Sequence, residues 1–380
     1  MSGLYIHIPY CKQRCIYCNF YSCATKQDKT PYIKAIVEEF NKRKHTLKDK
    51  IQTIYIGGGT PSTLKEEELL YIFNGIYKNC DMLSPNEITI EANCEDVNIN
   101  YIKFLKEVTP INRLSIGIQS FIDNDLKQLN RRHSAQKAIS AVENAKNIGF
   151  KNISIDLMYN LPFSSYQNHI YNLKTAIGLE VEHISAYNLT IEEETMLYSL
   201  VKKGKITPID EEKQLEQMDA THKLLTENNY NHYEISSFAL KGKEDYRSKH
   251  NMIYWLREEY LGLGAASHSF DGNKRRWNPS SIKDYIVGVN TNSIFYEEET
   301  LSDKDKYNEY IMLSLRIKEG ISPKKILEEF SPEFYRHFLF QVKGLVDDKL
   351  LEINPKTKNY ILTKKGFHIQ EIVCLKLFVD

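Results

Sequence analysis

The 380-residue chain contains no apolar run of the roughly 18 residues that a membrane-crossing helix needs. It also lacks an excess of charge of either sign: 50 Lys and Arg stand against 50 Asp and Glu. That balance gives no electrostatic reason to expect nucleic acid or an anionic membrane surface as a partner. The first residues do not combine a basic segment with a long apolar one, so no secretory leader is expected. Cysteine is sparse, seven in all, which is not a disulfide-dense pattern. A chain of this length builds a large core without covalent staples. A cytoplasmic protein is therefore expected, with thiols kept reduced and free to bind metal. No internal repeat or low-complexity linker interrupts it.

What cysteine there is clusters. Cys11, Cys15 and Cys18 follow an apolar, β-rich run over 4–8 with the spacing Cys-x3-Cys-x2-Cys. Thiolates are soft ligands suited to zinc or to iron–sulfur clusters. Structural zinc normally takes four protein ligands, and Cys23 or His7 would have to complete such a set. An iron–sulfur cluster normally takes four cysteines as well, so three thiolates leave one metal position open to a small molecule. Inert thiols are the third alternative, and for Cys23, Cys80, Cys94 and Cys374 they are the default.

Strand-like runs at 4–8, 53–56, 87–91, 113–118, 152–157 and 183–188 alternate with helical patterns at 30–45, 66–78, 99–108, 135–148 and 166–177. Ser134 is placed to cap the fourth helix and Gly149 to stop it. Such alternation predicts right-handed crossovers and a parallel sheet. The expected fold is α/β, an open, partial (β/α)6 barrel over 1–204. The unusual residues all fall near carboxyl ends of these strands. They are the cysteine loop, the run Gly57-Gly58-Gly59-Thr60-Pro61, Glu91, Gln119, Asp156 and Thr190. Barrel enzymes build their sites on that face.

Each candidate has a plainer reading. Three glycines after a strand suit a tight turn as well as close backbone approach to a ligand, and no Gly-Lys-Ser/Thr follows to make a P-loop. Gly262-x-Gly264 lacks the third glycine of a dinucleotide site. Asp156 lies in an apolar strand, where a carboxylate needs a partner; Arg131 or Arg132 is one choice, a ligand another. Glu91 carries the same ambiguity, and Gln119 suits a loop cap as well as a ligand contact.

Over 205–300 the alternation weakens into a barrel extension, with a helix at 211–228, a strand at 232–236 and a hairpin about Asp271-Gly272. It contains His250-Asn251-Met252-Ile253-Tyr254-Trp255, with one of only two tryptophans. A histidine among aromatics is usually a packing residue, yet histidine can ligate heme iron while aromatic neighbours face a porphyrin. Over 301–380 a separate small α+β unit is expected. It has helices at 304–317, 322–330 and 332–343, a two-stranded wing at 350–353 and 360–362, and a last helix at 364–377. That order is winged-helix-like, but 14 Lys and Arg against 12 Asp and Glu lack the charge of a DNA reader. Packing or partner docking is expected of it.

The cysteine triplet resembles the signature of radical S-adenosylmethionine proteins. Residues 5–20, 57–61, 116–120, 156–162 and 250–255 together resemble the oxygen-independent coproporphyrinogen III oxidase family, and within it the heme-chaperone branch. The resemblance implies a partial radical-SAM barrel and a 4Fe-4S cluster on Cys11, Cys15 and Cys18. It implies S-adenosylmethionine contacts from Tyr5, Tyr17, Gly58, Gly59, Thr60, Glu91, Gln119, Arg131 and Asp156, and heme at His250. It implies delivery of heme to acceptors such as membrane-bound respiratory cytochromes, reached from the cytoplasm through a partner, and it leaves a homodimer open. The alternative is an oxidase-like radical enzyme. Against it, Phe20 stands where those oxidases resemble one another in a fourth cysteine, and Tyr5 lies near the start, without their N-terminal extension.

Overall fold

Runs rich in Ile, with Leu and Tyr, suit a parallel strand covered on both faces. The computed structural model, which describes residues 2–24, 28–80, 83–291 and 295–379, turns six of them into the centre of one large sheet. These are β1 (Ser2–Ile8), β2 (Ile51–Gly58), β3 (Leu83–Asn93), β4 (Arg113–Gln119), β5 (Ile153–Tyr159) and β6 (His183–Asn188), side by side and parallel in chain order. Leu4, Ile6, Ile8, Ile54, Ile56, Ile90, Ile116, Ile155 and Ile184 are buried and form its spine.

The crossover helices are α1 (Thr30–Arg43), α2 (Glu66–Lys78), α3 (Ile99–Val108), α4 (Ala135–Ile148) and α5 (Tyr166–Gly178). Ser134 accepts from the Lys137 N–H at the start of α4, and Gly149 ends it at φ +97°, as the sequence predicts. The expected first helix stops at Arg43 and tightens into a 3-10 turn, Lys44–Thr46.

The later residues widen this sheet at both edges. After α6 (Glu211–Glu227), β7 (Tyr230–Glu234) and β8 (Ser237–Leu240) form a hairpin whose β8 lies antiparallel to β6. The chain then crosses to the other edge through α7 (Lys249–Trp255), which holds the His-Asn-Met-Ile-Tyr-Trp run. There β9 (Glu259–Leu263) pairs parallel with β1. So seven strands are parallel, one more than the sequence suggests. The glycine pair read as a doubtful nucleotide motif lies in and beside this strand. A Cβ on Gly262 would sit 2.0 Å from the His268 carbonyl oxygen, so the glycine admits the next strand. β10 (His268–Phe270), β11 (Lys274–Trp277) and β12 (Glu297–Thr300) continue antiparallel, with the Asp271-Gly272 turn where expected. Between them α8 (Ile282–Asn290), not foreseen, packs on α1.

A second core follows. It is built from α9 (Asp303–Ser314), α10 (Pro323–Glu329), α11 (Pro332–Asp347), the hairpin β13 (Leu351–Ile353) with β14 (Tyr360–Leu362), and α12 (Lys364–His368) with α13 (Gln370–Leu377). The single last helix expected over 364–377 is broken at Ile369, whose φ −126° and ψ 37° leave the helical region. Among the described residues no helix is long and apolar enough to cross a membrane.

Candidate cofactor site

At the carboxyl ends of β1 to β6 a cavity of about 420 Å³ opens, lined by Cys11, Cys15 and Cys18 together. The loop that carries them is sewn to the glycine run by backbone hydrogen bonds, Gly59 N–H to Ile8 C=O (2.8 Å) and Thr60 N–H to Tyr10 C=O (2.9 Å). This contact needs glycine. A Cβ on Gly59 would lie 2.8 Å from the Ile8 oxygen, and Gly58 sits at φ +109° with its missing Cβ against the His7 ring. The glycines thus join the two loops and also face the cavity. Midway along the cysteine loop, Ile16 is buried among Leu129, Met158, Leu161, Leu189 and Leu197, and its carbonyl accepts from Leu197 N–H. The apolar pin lies between Cys15 and Cys18 and holds that stretch in place.

Around the thiols stand their partners. Thr60 Oγ1 donates to Cys11 Sγ (3.4 Å), and Arg131 Nη1 approaches Cys15 Sγ (3.5 Å). Arg131 also donates to Asn93 Oδ1 (2.8 Å) and to the Gly117 carbonyl (2.6 Å). Burial raises the pKa of Cys11 and Cys18. His7 is unsuited to complete a zinc set: Nδ1 pairs with the Tyr5 hydroxyl (2.9 Å) and Nε2 with the Tyr21 carbonyl (3.1 Å). Among the described residues no three His, Cys, Asp or Glu side chains converge on a single-ion position. The donor chemistry suits a cluster, which spreads its cysteines over several irons.

The far wall is acidic. Glu91 accepts from the Tyr55 hydroxyl (2.7 Å) and the Gly58 N–H (3.0 Å); burial pushes its pKa up to about 7, with Asp156 adding repulsion. Burial lifts Asp156 to about 6, opposed chiefly by the charge of Arg113. Arg113, itself buried, thus supplies the largest compensating charge felt by Asp156. Arg132 instead pairs with Glu95 at 3.6 Å, and Arg131 turns toward the cysteines. Two carboxylates poorly solvated at one wall favour a cationic guest. Gln119 lies at φ +70°, where the β4–β5 register shifts, and lines the cavity. A Cβ on Gly117 would come within 3.1 Å of its amide nitrogen, so the glycine makes room for it.

Tyr17, Gly58, Gly59, Thr60, Glu91, Gln119, Arg131 and Asp156 all line the cavity with the cysteines. Tyr5 does not; it packs beside Tyr55 and bonds His7 beneath the site. Asn93, Ser115, Tyr187 and Thr190 line it without having been singled out as contacts. Thr190 had its strand-end position as a signal, and Asn93 follows Glu91 by two residues on the same strand. Phe20, 70% exposed, stands at the mouth.

His250 lies elsewhere, 1% exposed. Its Nδ1 pairs with Thr53 Oγ1 (2.7 Å) and its Nε2 with the Tyr254 hydroxyl (2.8 Å), and its ring stacks on Tyr55. Burial and the Arg113 charge hold its pKa down to about 3. The structure does not bring His250 to the cysteine cavity or to a surface.

A seven-strand parallel array whose strand ends gather three thiols, a glycine cradle and two half-buried carboxylates defines a radical SAM protein. The Radical SAM superfamily model matches residues 5–171. The fold superposes on the coproporphyrinogen III oxidase HemN of Escherichia coli with a TM-score of 0.82, over 100% of this chain and 90% of that one at 21% identity. Similarity in sequence runs further. The heme chaperone HemW of Bacillus subtilis is 34% identical over 96% of both chains, and that of Lactococcus lactis is 33% identical over 100% of this chain and 98% of its own. The chain belongs to the HemW family. Superfamily membership implies a 4Fe-4S cluster and S-adenosylmethionine, and the donor set of the cavity fits both.

Proposed function

We propose that this protein is a heme chaperone that binds heme and passes it to acceptor proteins such as respiratory cytochromes, with a 4Fe-4S cluster and S-adenosylmethionine in the barrel mouth. The observation behind this reading is the full-length similarity to heme chaperones named HemW. Cys11, Cys15 and Cys18 would hold the cluster. The glycine cradle, Gln119, Glu91 and Asp156 would orient the cofactor, with the acidic pair facing its positive charge. The bound pair supplies electron-transfer chemistry, while the chain's own residues fix position and limit water. Residues 301–380 would serve docking rather than DNA reading.

The resemblance assigns heme to His250. With Nε2 held by the Tyr254 hydroxyl and Nδ1 by Thr53, that residue would reach iron only after one of these bonds opens. Ferric heme titrated into the full chain should give a saturable one-to-one Soret shift, followed by transfer to an apo-cytochrome. Absence of any shift removes the chaperone reading. The oxidase alternative has the HemN-like fold in its favour and Phe20 against it. Anaerobic incubation with dithionite, S-adenosylmethionine and coproporphyrinogen is expected to yield no protoporphyrinogen.

A further inference from the structure

Asn93 is the last residue of β3, two positions after Glu91, so the two side chains share a face of the strand and both line the cavity. Its backbone is held on both sides. The N–H donates to Ser62 Oγ (3.2 Å), and the carbonyl accepts from the Asp96 N–H (3.0 Å). Ser62 Oγ in turn donates to Asp96 Oδ2 (2.9 Å), and the other Asp96 oxygen pairs with Lys12 of the cysteine loop. The turn after β3 is thereby tied to the thiol loop, and the Asn93 side chain projects from a fixed base.

That side chain bonds both of the residues that reach the thiols. A guanidinium has donors only, so the Asn93 oxygen must face Arg131, whose Nη2 donates to Oδ1 (2.8 Å). The amide is then fixed at its other end as well: Nδ2 faces Thr60 and donates to Oγ1 (3.2 Å). A hydroxyl carries a single proton. Thr60 cannot turn that proton toward an amide N–H, and directs it instead to Cys11 Sγ (3.4 Å). Thr60 is buried, so water does not compete for it. Arg131, held by the Asn93 oxygen and the Gly117 carbonyl, keeps Nη1 at Cys15 Sγ (3.5 Å).

Hydrogen bonds to the ligand sulfurs are one of the factors that set the reduction potential of an iron–sulfur cluster. A donor at a thiolate draws off part of its negative charge, so an added electron meets less repulsion and the potential rises. The direction of one hydroxyl proton therefore has an electrochemical consequence, and the orientation of one amide decides it.

Resting on the cluster reading, we propose that Asn93 is a positioning residue that aims the Thr60 hydroxyl at the Cys11 sulfur and so raises the reduction potential of the cluster. An aspartate has the same shape and still accepts from Arg131, but its oxygens offer Thr60 no donor. In Asn93→Asp the Thr60 proton turns to the carboxylate and leaves the sulfur.

The test reads the midpoint potential of the reconstituted cluster in the full chain, by anaerobic dithionite titration followed by electron paramagnetic resonance. Dithionite supplies the single electron that the cluster takes up. S-adenosylmethionine is left out, so contacts to it do not enter the readout, and iron is counted per chain beforehand. Thr60→Val should lower the potential by about tenfold in the one-electron equilibrium, or about 59 mV. Asn93→Asp should lower it at least as far, and adding Thr60→Val to Asn93→Asp should change nothing more. An unchanged potential in Asn93→Asp, or a Thr60→Val shift of equal size in both backgrounds, overturns the proposal. Where Asn93→Asp takes up less than half the wild-type iron, Asn93→Ala replaces it in the same cycle, and the Thr60→Val shift should again shrink. If neither Asn93 variant takes up a cluster, the residue builds the seat rather than tuning it, and the proposal fails. If wild type takes up no cluster, the cluster reading itself fails; the heme titration is independent of either result.

Discussion

Glu91 and Asp156 are half-buried, poorly solvated carboxylates at the wall of a cavity. Their folded-state pKa values, about 7 and about 6, lie above the ordinary carboxylate range. The folded chain therefore keeps protons that the unfolded chain gives up. Between about pH 4 and pH 7 the apo protein loses stability as pH rises, and by pH 8 the penalty is complete. Asp156→Asn removes one share of it. The hydroxyls of Ser115 and Ser185 beside the carboxylate can turn to suit an amide. The expected result in denaturant unfolding of the apo form is a gain on the order of 1–3 kcal/mol at pH 8 and almost none at pH 4. An equal change at both values would mean that charge burial is not the cause. The sign reverses for the ligand. A cation favours the ionised pair, so S-adenosylmethionine binding by anaerobic calorimetry should weaken as pH falls from 8 to 6, and weaken further in Asp156→Asn.

At the scale of elements, the decisive contact joins the cysteine loop to the turn after β2. It consists of backbone against backbone, and nothing flexible can yield at Gly59. Gly59→Ala should push the loop outward and spread the thiols. After anaerobic reconstitution, iron and sulfide per chain should fall to less than half of wild type, with a modest drop in melting temperature because the sheet itself is untouched. Full cluster occupancy in that variant would show the join to be dispensable. The elements also explain what was readable beforehand. Ser134 and Gly149 act within their own helix, so local chemistry fixes both ends of α4. Strand β9 was unreadable because Glu259–Leu263 is short and interrupted by Gly262. Its place beside β1 depends on residues more than 250 positions away in the sequence.

Taken whole, the molecule has two cores that meet along a seam. Ile235 N–H bonds the Arg316 carbonyl (2.9 Å), Lys318 N–H bonds the Tyr233 carbonyl (2.9 Å), and Lys364 and His368 clasp Asp219. The clasp is half-exposed, and such ion pairs contribute only about 0–1 kcal/mol. Asp219→Ala should therefore leave the unfolding midpoint nearly unchanged. A clearly lowered midpoint would show that the clasp contributes more than a surface ion pair.

The chain's own spelling settled the thiolate seat and its neighbourhood. Cys11, Cys15 and Cys18 are close in sequence, and the period of the apolar residues placed Gly58, Glu91, Gln119 and Asp156 at successive strand ends. Both are local properties, decided by a few bonds or by one strand's alternation. Packing decided the rest. The largest compensating charge on Asp156 comes from Arg113 on the neighbouring strand β4, with Arg131 adding a smaller share. His250 is sealed by Thr53 and Tyr254. Burial and free space are set by what other segments cover, and no spacing along one segment encodes that.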